Sequence, residues 1–112
     1  RAMTSRPRIL LYDEATTGLD PITALTVDNE IIKLRDLEGV SSIVVTHQLR
    51  DAFYIATHEA TRRDGDVVLQ PASPDRERVT EFLMLRAGRV AFSGDVEALR
   101  ASADPYLRAF LS

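Results

Sequence analysis

Residues 9–14 read Ile-Leu-Leu-Tyr-Asp-Glu, and residues 15–21 continue as Ala-Thr-Thr-Gly-Leu-Asp-Pro. An apolar run without polar alternation favours a strand covered on both faces, as in a parallel α/β sheet, where functional groups lie at the carboxyl ends of the strands. The glycine and the proline that follow predict a turn and then the start of a helix. We therefore predict a buried strand that places Asp13 and Glu14 at its carboxyl end.

The two adjacent carboxylates can divide two tasks, because successive strand residues point to opposite sides. Mg²⁺ takes oxygen ligands and keeps several waters, so one carboxylate can hold it directly or through a water; Asp13 is the candidate. In nucleotide hydrolysis a carboxylate whose pKa is raised by burial near another negative charge suits the activation of the attacking water, and Glu14 is the candidate. On its own, an Asp-Glu pair more often begins a solvated loop.

A second β-branched run, Ser-Ser-Ile-Val-Val-Thr-His at residues 41–47, also ends in a residue able to do chemistry. In a parallel sheet its carboxyl end would lie beside that of residues 9–14. A histidine can donate one hydrogen bond to a phosphate oxygen and contact a carboxylate through its other ring nitrogen. The spacing therefore predicts that His47 and Glu14 converge on one point.

Composition narrows the class of protein. The 112 residues are enough for one modest domain, and 45% hydrophobic with 28% charged residues is ordinary for a globular chain. The net charge of −3 argues against a general binder of nucleic acid or anionic membrane. Without cysteine there is no disulfide, thiol nucleophile or cysteine metal site. No apolar run approaches the ~20 residues that span a bilayer.

The combined pattern resembles the nucleotide-binding subunits of ABC transporters. Residues 9–14 resemble the Walker B strand with its catalytic glutamate, and residues 17–20 resemble the D-loop that meets a partner subunit. Thr46 and His47 are similar to the end of the strand that carries the switch histidine, the H-loop. The resemblance implies an α/β fold, the carboxyl-terminal part of a P-loop (RecA-like) ABC ATPase domain, with parallel strands, flanking helices, a terminal β-hairpin and carboxyl-terminal helices.

The resemblance also implies roles for four residues. Glu14 and His47 would be catalytic: Glu14 would polarise the hydrolytic water and His47 would contact the γ-phosphate. Asp13 and Asp20 would be cofactor-binding, with Asp13 holding Mg²⁺ through water and Asp20 at the dimer interface. The implied cofactors are ATP and Mg²⁺. The implied partners are a second ATPase subunit in a homodimer and transmembrane permease subunits, with no nucleic acid, at the cytoplasmic, inner face of the cell membrane.

Three motifs of that family are missing. None of the five glycines is followed by lysine, so the phosphate-cradling Walker A loop is absent, and so are the signature Leu-Ser-Gly-Gly and the Q-loop glutamine. Residues 1–7 resemble the tail of the helix that begins at the signature motif. We therefore expect residues 1–112 to be a carboxyl-terminal fragment of an ABC ATPase domain, with little or no ATPase activity by itself.

The middle of the chain predicts two helices. Asp20 and Pro21 suit a helix start and Gly39 a helix end. The residues expected to be buried on this helix are Ile22, Leu25, Ile31, Ile32 and Leu34. Those expected to face solvent are Asp28, Glu30, Lys33, Arg35 and Asp36. A short helix over residues 48–56 should pack through Leu49, Ala52, Phe53 and Ala56.

The remaining third predicts smaller elements. His58 is interpreted as a surface or interface residue, and residues 62–78 as an insertion made of a small strand and an exposed loop. Residues 81–94 predict a β-hairpin. Asp95 should cap a helix over residues 96–101, and Asp104-Pro105 should begin a last helix. The residues expected to be buried in that last helix are Tyr106, Leu107, Phe110 and Leu111.

Residues 102–111, together with Ile22 after the D-loop proline, resemble the ATPases of MCE-associated (Mla/Ttg2-like) lipid transport systems. This implies lipid transport and MCE-type lipid-binding partners. Two alternatives stay open. A DNA-maintenance ABC-type ATPase shares the Asp-Glu and D-loop pattern but carries long heptad arms, and no heptads occur here. The chain could also be a non-catalytic interaction module.

Overall fold

The structure, a computed structural model, describes residues 9–111, with side chains through residue 110. The interpretation of residues 1–7 therefore lies outside the described residues. The chain forms two compact units that divide between Pro71 and Ala72. Among the described helices, none has the length and apolar character needed to cross a bilayer.

The first unit opens with the predicted β–α–β arrangement. Strand β1 (Ile9–Asp13) leads to helix α1 (Pro21–Leu37) and then to strand β2 (Ser41–Val45). The two strands pair in parallel, and Asp13 at the end of β1 lies opposite Val45 at the end of β2. The predicted α/β class is thus confirmed, and both carboxyl ends lie at one edge of the sheet.

The expectation that β1 is buried on both faces is wrong for this chain. Tyr12 and Val44 are partly buried against the core. Ile9, Leu11 and Ile43 are exposed. Successive strand residues point to opposite faces, and within this two-stranded sheet only one face packs against the described core.

Helix α1 begins and ends as predicted, but its buried face differs from the expected one. The Asp20 side chain accepts from the Thr23 N–H at 2.7 Å, and Pro21 follows the cap. The buried residues of α1 are Ala24, Asp28, Ile31 and Ile32. Ile22 is 80% exposed, Leu25 is also exposed, and Asp28 is only 3% exposed. Steps of three and four residues define one helical face whatever the polarity of its members, and here that face includes an acid.

Two more polar residues of α1, Arg35 and Asp36, were expected in solvent but have side chains that are largely shielded from it. The Asp36 side chain is 1% exposed and accepts from the Arg35 Nε–H at 2.7 Å. Arg35 also donates to the backbone oxygens of Ile55 and His58, at 2.8 and 2.7 Å. Asp36 accepts from the Ala60 N–H at 2.8 Å. Burial is tolerated because every charged group has partners.

These bonds attach a hairpin that the sequence interpretation placed only in part. Helix α2 (Leu49–Thr57) is followed by strands β3 (His58–Arg63) and β4 (Asp66–Pro71), which pair antiparallel. Asp64 and Gly65 connect them with positive φ of 52° and 86°, as the twist of a tight hairpin requires. The small strand predicted within residues 62–78 is β4, and the prediction missed its partner β3, because the polar residues of β3 carry no apolar alternation. That this segment is an insertion stays a prediction.

The core of the first unit joins α1, α2 and β3. Ile31, Ile32, Ile55 and Ala60 form its cluster of buried residues. On α2, Ala56 is buried as predicted. His58 is half-buried, and its ring stacks on that of Tyr54 with centroids 4.1 Å apart.

The second unit contains α3 (Pro74–Glu77), β5 (Phe82–Arg86), β6 (Arg89–Gly94), α4 (Val96–Arg100) and α5 (Pro105–Leu111). Strands β5 and β6 form the predicted antiparallel hairpin. Asp95 caps α4 as predicted, accepting from the Ala98 N–H at 3.0 Å. In α5 only the burial of Leu107 is confirmed; Tyr106 and Phe110 are exposed, because a seven-residue helix offers one narrow buried face. The Leu111 side chain lies outside the description.

Candidate functional site

The parallel pairing of β1 and β2 brings the two candidate catalytic residues to one edge. Glu14 follows β1 with a left-handed backbone, φ 55°, and its N–H donates to the Val45 oxygen at 2.8 Å. His47 comes two residues after β2 ends at Val45. A non-glycine residue with positive φ is uncommon and concentrates at functional sites. The turn at Glu14 aims its side chain across the strand ends.

Glu14 and His47 are in direct contact. His47 Nδ1 lies 2.9 Å from Glu14 Oε1. The Thr17 hydroxyl donates to the same oxygen at 2.8 Å. The side chains of His47 and Glu14 are 66% and 36% exposed, so both remain accessible to a ligand. The convergence predicted for the two strand ends is present, and a threonine joins it.

The expectation of a raised pKa for Glu14 is wrong. The hydrogen bond from the Thr17 hydroxyl lowers the pKa of Glu14, and contact with His47 lowers it further. Partial burial opposes these effects without reversing them. Donors that bind the ionised form favour that form. Glu14 is therefore held as a carboxylate whose second oxygen, Oε2, can accept a hydrogen bond from water.

The ring of His47 offers its second nitrogen to a ligand. With Nδ1 turned to Glu14, Nε2 points away from the pair, and Gln48 Nε2 lies 3.5 Å from it. A histidine protonated at both nitrogens could donate to Glu14 and to an anionic oxygen at once. The pair can thus orient a water at Glu14 and contact a phosphate oxygen at His47.

The role of Asp13 toward Mg²⁺ stays a prediction. Asp13 is exposed at the carboxyl end of β1, beside Glu14 in the chain. Within residues 9–111 there is no group of three or more histidine, cysteine, aspartate or glutamate side chains that could hold a metal ion. A lone carboxylate suits Mg²⁺, which retains most of its waters, and does not suit an ion that needs an all-protein cage.

Asp20 is occupied by the fold itself. Its carboxylate caps α1, and the hydrogen bond from the Thr23 backbone N–H lowers the pKa of Asp20. The cap at Asp20 lies at the opposite end of the loop from Glu14. The contact seen is structural, and a place for Asp20 at a dimer interface stays a prediction.

The sequence interpretation missed a second group of polar residues behind the loop. The Thr16 hydroxyl donates to Asp51 Oδ2 of α2 at 2.6 Å. The carboxyl groups of Asp51 and Asp28 are in hydrogen-bond contact, and burial first, then that contact, raises the pKa of Asp28 to about 7. Asp28 lies four residues after Ala24 and four residues before Ile32, and residues at that spacing share one face of a helix. This spacing is a sequence signal that could have predicted the burial of Asp28. The pairing of Thr16 with Asp51 has no comparable local signal.

Comparison with known proteins adds a family context. No family model matches the sequence. The chain is 39% identical over 75 residues to the glycine betaine/carnitine transport ATP-binding protein GbuA of Listeria monocytogenes, covering 67% of this chain and 19% of that protein. It is 31% identical over 110 residues to the glycine betaine uptake system ATP-binding protein YehX of Escherichia coli, covering 96% of this chain and 35% of that protein.

A third relative is the methionine import ATP-binding protein MetN 2 of Oenococcus oeni, 30% identical over 94 residues, which cover 79% of this chain and 27% of that protein. The matches thus span between 19% and 35% of the length of these curated relatives. The homologues of this chain are ATP-binding proteins of ABC transporters. Its mixed α/β fold is consistent with the carboxyl-terminal part of an ABC ATPase domain.

Proposed function

We propose that this chain is part of the ATP-hydrolysing subunit of an ABC transporter. The observation that carries the proposal is the 2.9 Å contact between Glu14 and His47 at the carboxyl ends of two parallel strands. Similarity to ABC transporter ATP-binding proteins supports it. A carboxylate beside an imidazole suits hydrolysis by an oriented water.

In this function the residues have separate tasks. Glu14 accepts a hydrogen bond from the attacking water through Oε2, while Thr17 and His47 hold Oε1 in place. His47 contacts a γ-phosphate oxygen through Nε2, and Asp13 holds hydrated Mg²⁺. When bound, Mg²⁺ neutralises charge on the phosphates. The lowered pKa of Glu14 makes it a water-orienting acceptor more than a strong base.

The partners follow from the motifs that this sequence lacks. Phosphate binding by a glycine-rich loop and a signature motif must come from other segments, including a second ATPase subunit, with Asp20 at the contact between subunits. Transmembrane permease subunits complete the transporter. The assembly would lie on the cytoplasmic, inner face of the cell membrane.

The cargo is proposed from the relatives. The three relatives reported above are named for transport of glycine betaine, carnitine or methionine, which are all small zwitterionic solutes. We therefore favour a small organic solute as the cargo and import as the direction of transport. Lipid transport with MCE-type partners depends only on the resemblance of residues 102–111 and Ile22, and it takes second place. A transport assay with radiolabelled betaine and methionine, and with labelled phospholipid, separates the two.

The central test uses the full-length gene product. Glu14→Gln should lower the rate of ATP hydrolysis at least about 100-fold and leave ATP binding intact. The neutral amide is a weaker hydrogen-bond acceptor for the attacking water than the carboxylate. Glu30→Gln is the matched control, since Glu30 is exposed on α1 and pairs with Lys33. Undiminished turnover in Glu14→Gln would refute the proposal.

A second test uses the chain of 112 residues alone. We expect no hydrolysis above background, because its sequence has no Gly-x-x-x-x-Gly-Lys loop to bind the phosphates. Robust turnover abolished by Glu14→Gln would overturn this expectation. A salt-sensitive shift of DNA by the full-length product would favour the DNA-maintenance alternative instead. A reading frame without any upstream phosphate loop would favour the interaction module.

A further inference from the structure

The loop that carries Glu14 is connected to helix α2 by a hydrogen bond outside the catalytic pair. Residues 14–20 form the loop that links β1 to α1. Within it, the Thr17 N–H donates to the backbone oxygen of Glu14 at 3.1 Å, and the Leu19 N–H donates to the backbone oxygen of Thr16 at 3.2 Å. The Thr16 hydroxyl donates to Asp51 Oδ2 at 2.6 Å. Helix α2 starts directly after the segment that holds His47. The bond therefore joins the Glu14 loop to the element that follows His47.

Asp51 is buried, so its hydrogen bonds are strong. Removing one of its hydrogen-bond partners would lower the stability of the fold. Asp51 is 7% exposed, and a buried carboxylate needs donors. One donor is Thr16; the other is Asp28, whose carboxyl group keeps its proton until about neutral pH. Arg50 adds a compensating positive charge, and the Tyr54 side chain also faces Asp28 from α2. Asp28, Asp51 and Thr16 thus form one polar cluster.

We propose, building on the function proposed above, that Asp51 is a positioning residue: through Thr16 it fixes the loop so that Glu14 stays aligned with His47. Displacement of a catalytic group by about 1 Å can cost about 100-fold in rate. Thr17, which donates to Glu14, is the next residue after Thr16. Motion at Thr16 is therefore passed directly to the group that holds Glu14 Oε1.

The hydrogen bond between Thr16 and Asp51, here called the tether, is tested first in the 112-residue chain, without any nucleotide. Thr16→Val removes the hydroxyl and keeps the shape; Thr26→Val is the matched control, because the exposed Thr26 hydroxyl donates to the Ile22 oxygen within α1. In Thr16→Val, amide hydrogen exchange at Thr17 and Leu19 should be about tenfold faster, the effect of losing a charge-assisted hydrogen bond. Exchange in the control should not change there. Equal exchange in both variants overturns the proposal.

Substitutions at Asp51 separate positioning from general stability. Asp51→Asn keeps an oxygen that can accept from Thr16, so loop exchange should stay within about twofold of the unsubstituted chain, whereas Asp51→Ala should match Thr16→Val. If Asp51→Ala does not fold, Thr16→Val decides alone, because Thr16 is itself only half-buried and lies in a loop whose other residues are mostly exposed. Loop exchange that follows overall stability in every variant, with no rescue by Asn, overturns the positioning role.

The catalytic consequence is tested in the full-length gene product. Thr16→Val should lower kcat for ATP about 10- to 100-fold, while KM stays within about twofold, because the loop positions the water and does not bind the nucleotide. An unchanged kcat together with faster loop exchange overturns the catalytic role of the tether. A full-length product that shows no ATP hydrolysis overturns the proposed function itself, and the exchange experiment still decides the tether.

Discussion

The buried acid pair makes a testable difference to the pH dependence of stability. Burial and contact with Asp51 raise the pKa of Asp28 from 3.8 to about 7. The folded state therefore binds this proton more tightly than the unfolded chain does. The contribution of Asp28 to stability is complete below about pH 4 and is lost as pH rises through 7, after which it changes no further.

The size of the effect follows from the shift. A rise of about three pKa units corresponds to a ceiling of about 4 kcal/mol at 1.36 kcal/mol per unit. Arg50 stabilises the ionised form, and the effective dielectric response inside proteins is larger than that of a dry interior. We expect about 2 kcal/mol between pH 4 and pH 8. Against a typical total of about 5–15 kcal/mol, this is readily measured.

The assay is urea denaturation of the chain at several pH values between 4 and 8, comparing it with Asp28→Asn. The amide donates to Asp51 without ionising, so the variant should gain about 2 kcal/mol relative to the unsubstituted chain as pH rises. Acids with lowered pKa, such as Glu14 and Asp104, act in the opposite direction but cancel in this difference. Glu30→Gln, with its side chain 60% exposed, is the control and should show no such trend.

A difference between Asp28→Asn and the unsubstituted chain that does not vary with pH would refute the reasoning. A difference that shrinks as pH rises would refute it more strongly, because it would mean that the ionised acid is the stabilising form. Either result would show that Asp28 is solvated or paired with a cation in solution.

Three further changes test the packing of the first unit by urea denaturation. Asp36→Ala should cost about 3–5 kcal/mol, because it leaves the largely shielded Arg35 guanidinium without its carboxylate; a loss below about 1 kcal/mol would contradict the shielding of this pair from solvent. Ile32→Ala should cost about 2–5 kcal/mol, whereas Ile22→Ala on the exposed side should stay within about 0.5 kcal/mol, and similar losses would disprove the observed face of α1. Asp20→Ala should cost about 1 kcal/mol by removing the helix cap, with Asp20→Asn as the tolerated control, and an equal loss in both would assign another role to this carboxylate.

Several elements could be predicted from residues close together in the sequence. Asp20 and Pro21 define the start of α1, because the cap and the proline act on backbone groups within one turn. The Gly88 turn between β5 and β6 and the Asp95 cap of α4 are local in the same sense. The candidate residues Asp13, Glu14 and His47 were found because each ends an apolar, β-branched or aromatic run.

Only the tertiary structure decided what surrounds those residues. Asp28, expected in solvent, is buried because α2 packs over that face of α1 and supplies Asp51 as its partner. The side chains of Arg35 and Asp36 are largely shielded from solvent because the polar strand β3 offers them backbone groups. Helical period predicts which positions share a face, but which face meets the core depends on distant segments.

The sequence by itself determined that two strands end in a carboxylate pair and a histidine, since strand propensity and the order of residues are local properties. Contact between Glu14 and His47, the Thr17 hydrogen bond that lowers the pKa of Glu14, and the link from Thr16 to Asp51 were decided by folding alone. Two of these contacts join residues 33 and 35 positions apart. Electrostatics depends on distance in space, and a pKa is therefore a property of the folded arrangement rather than of the residue type.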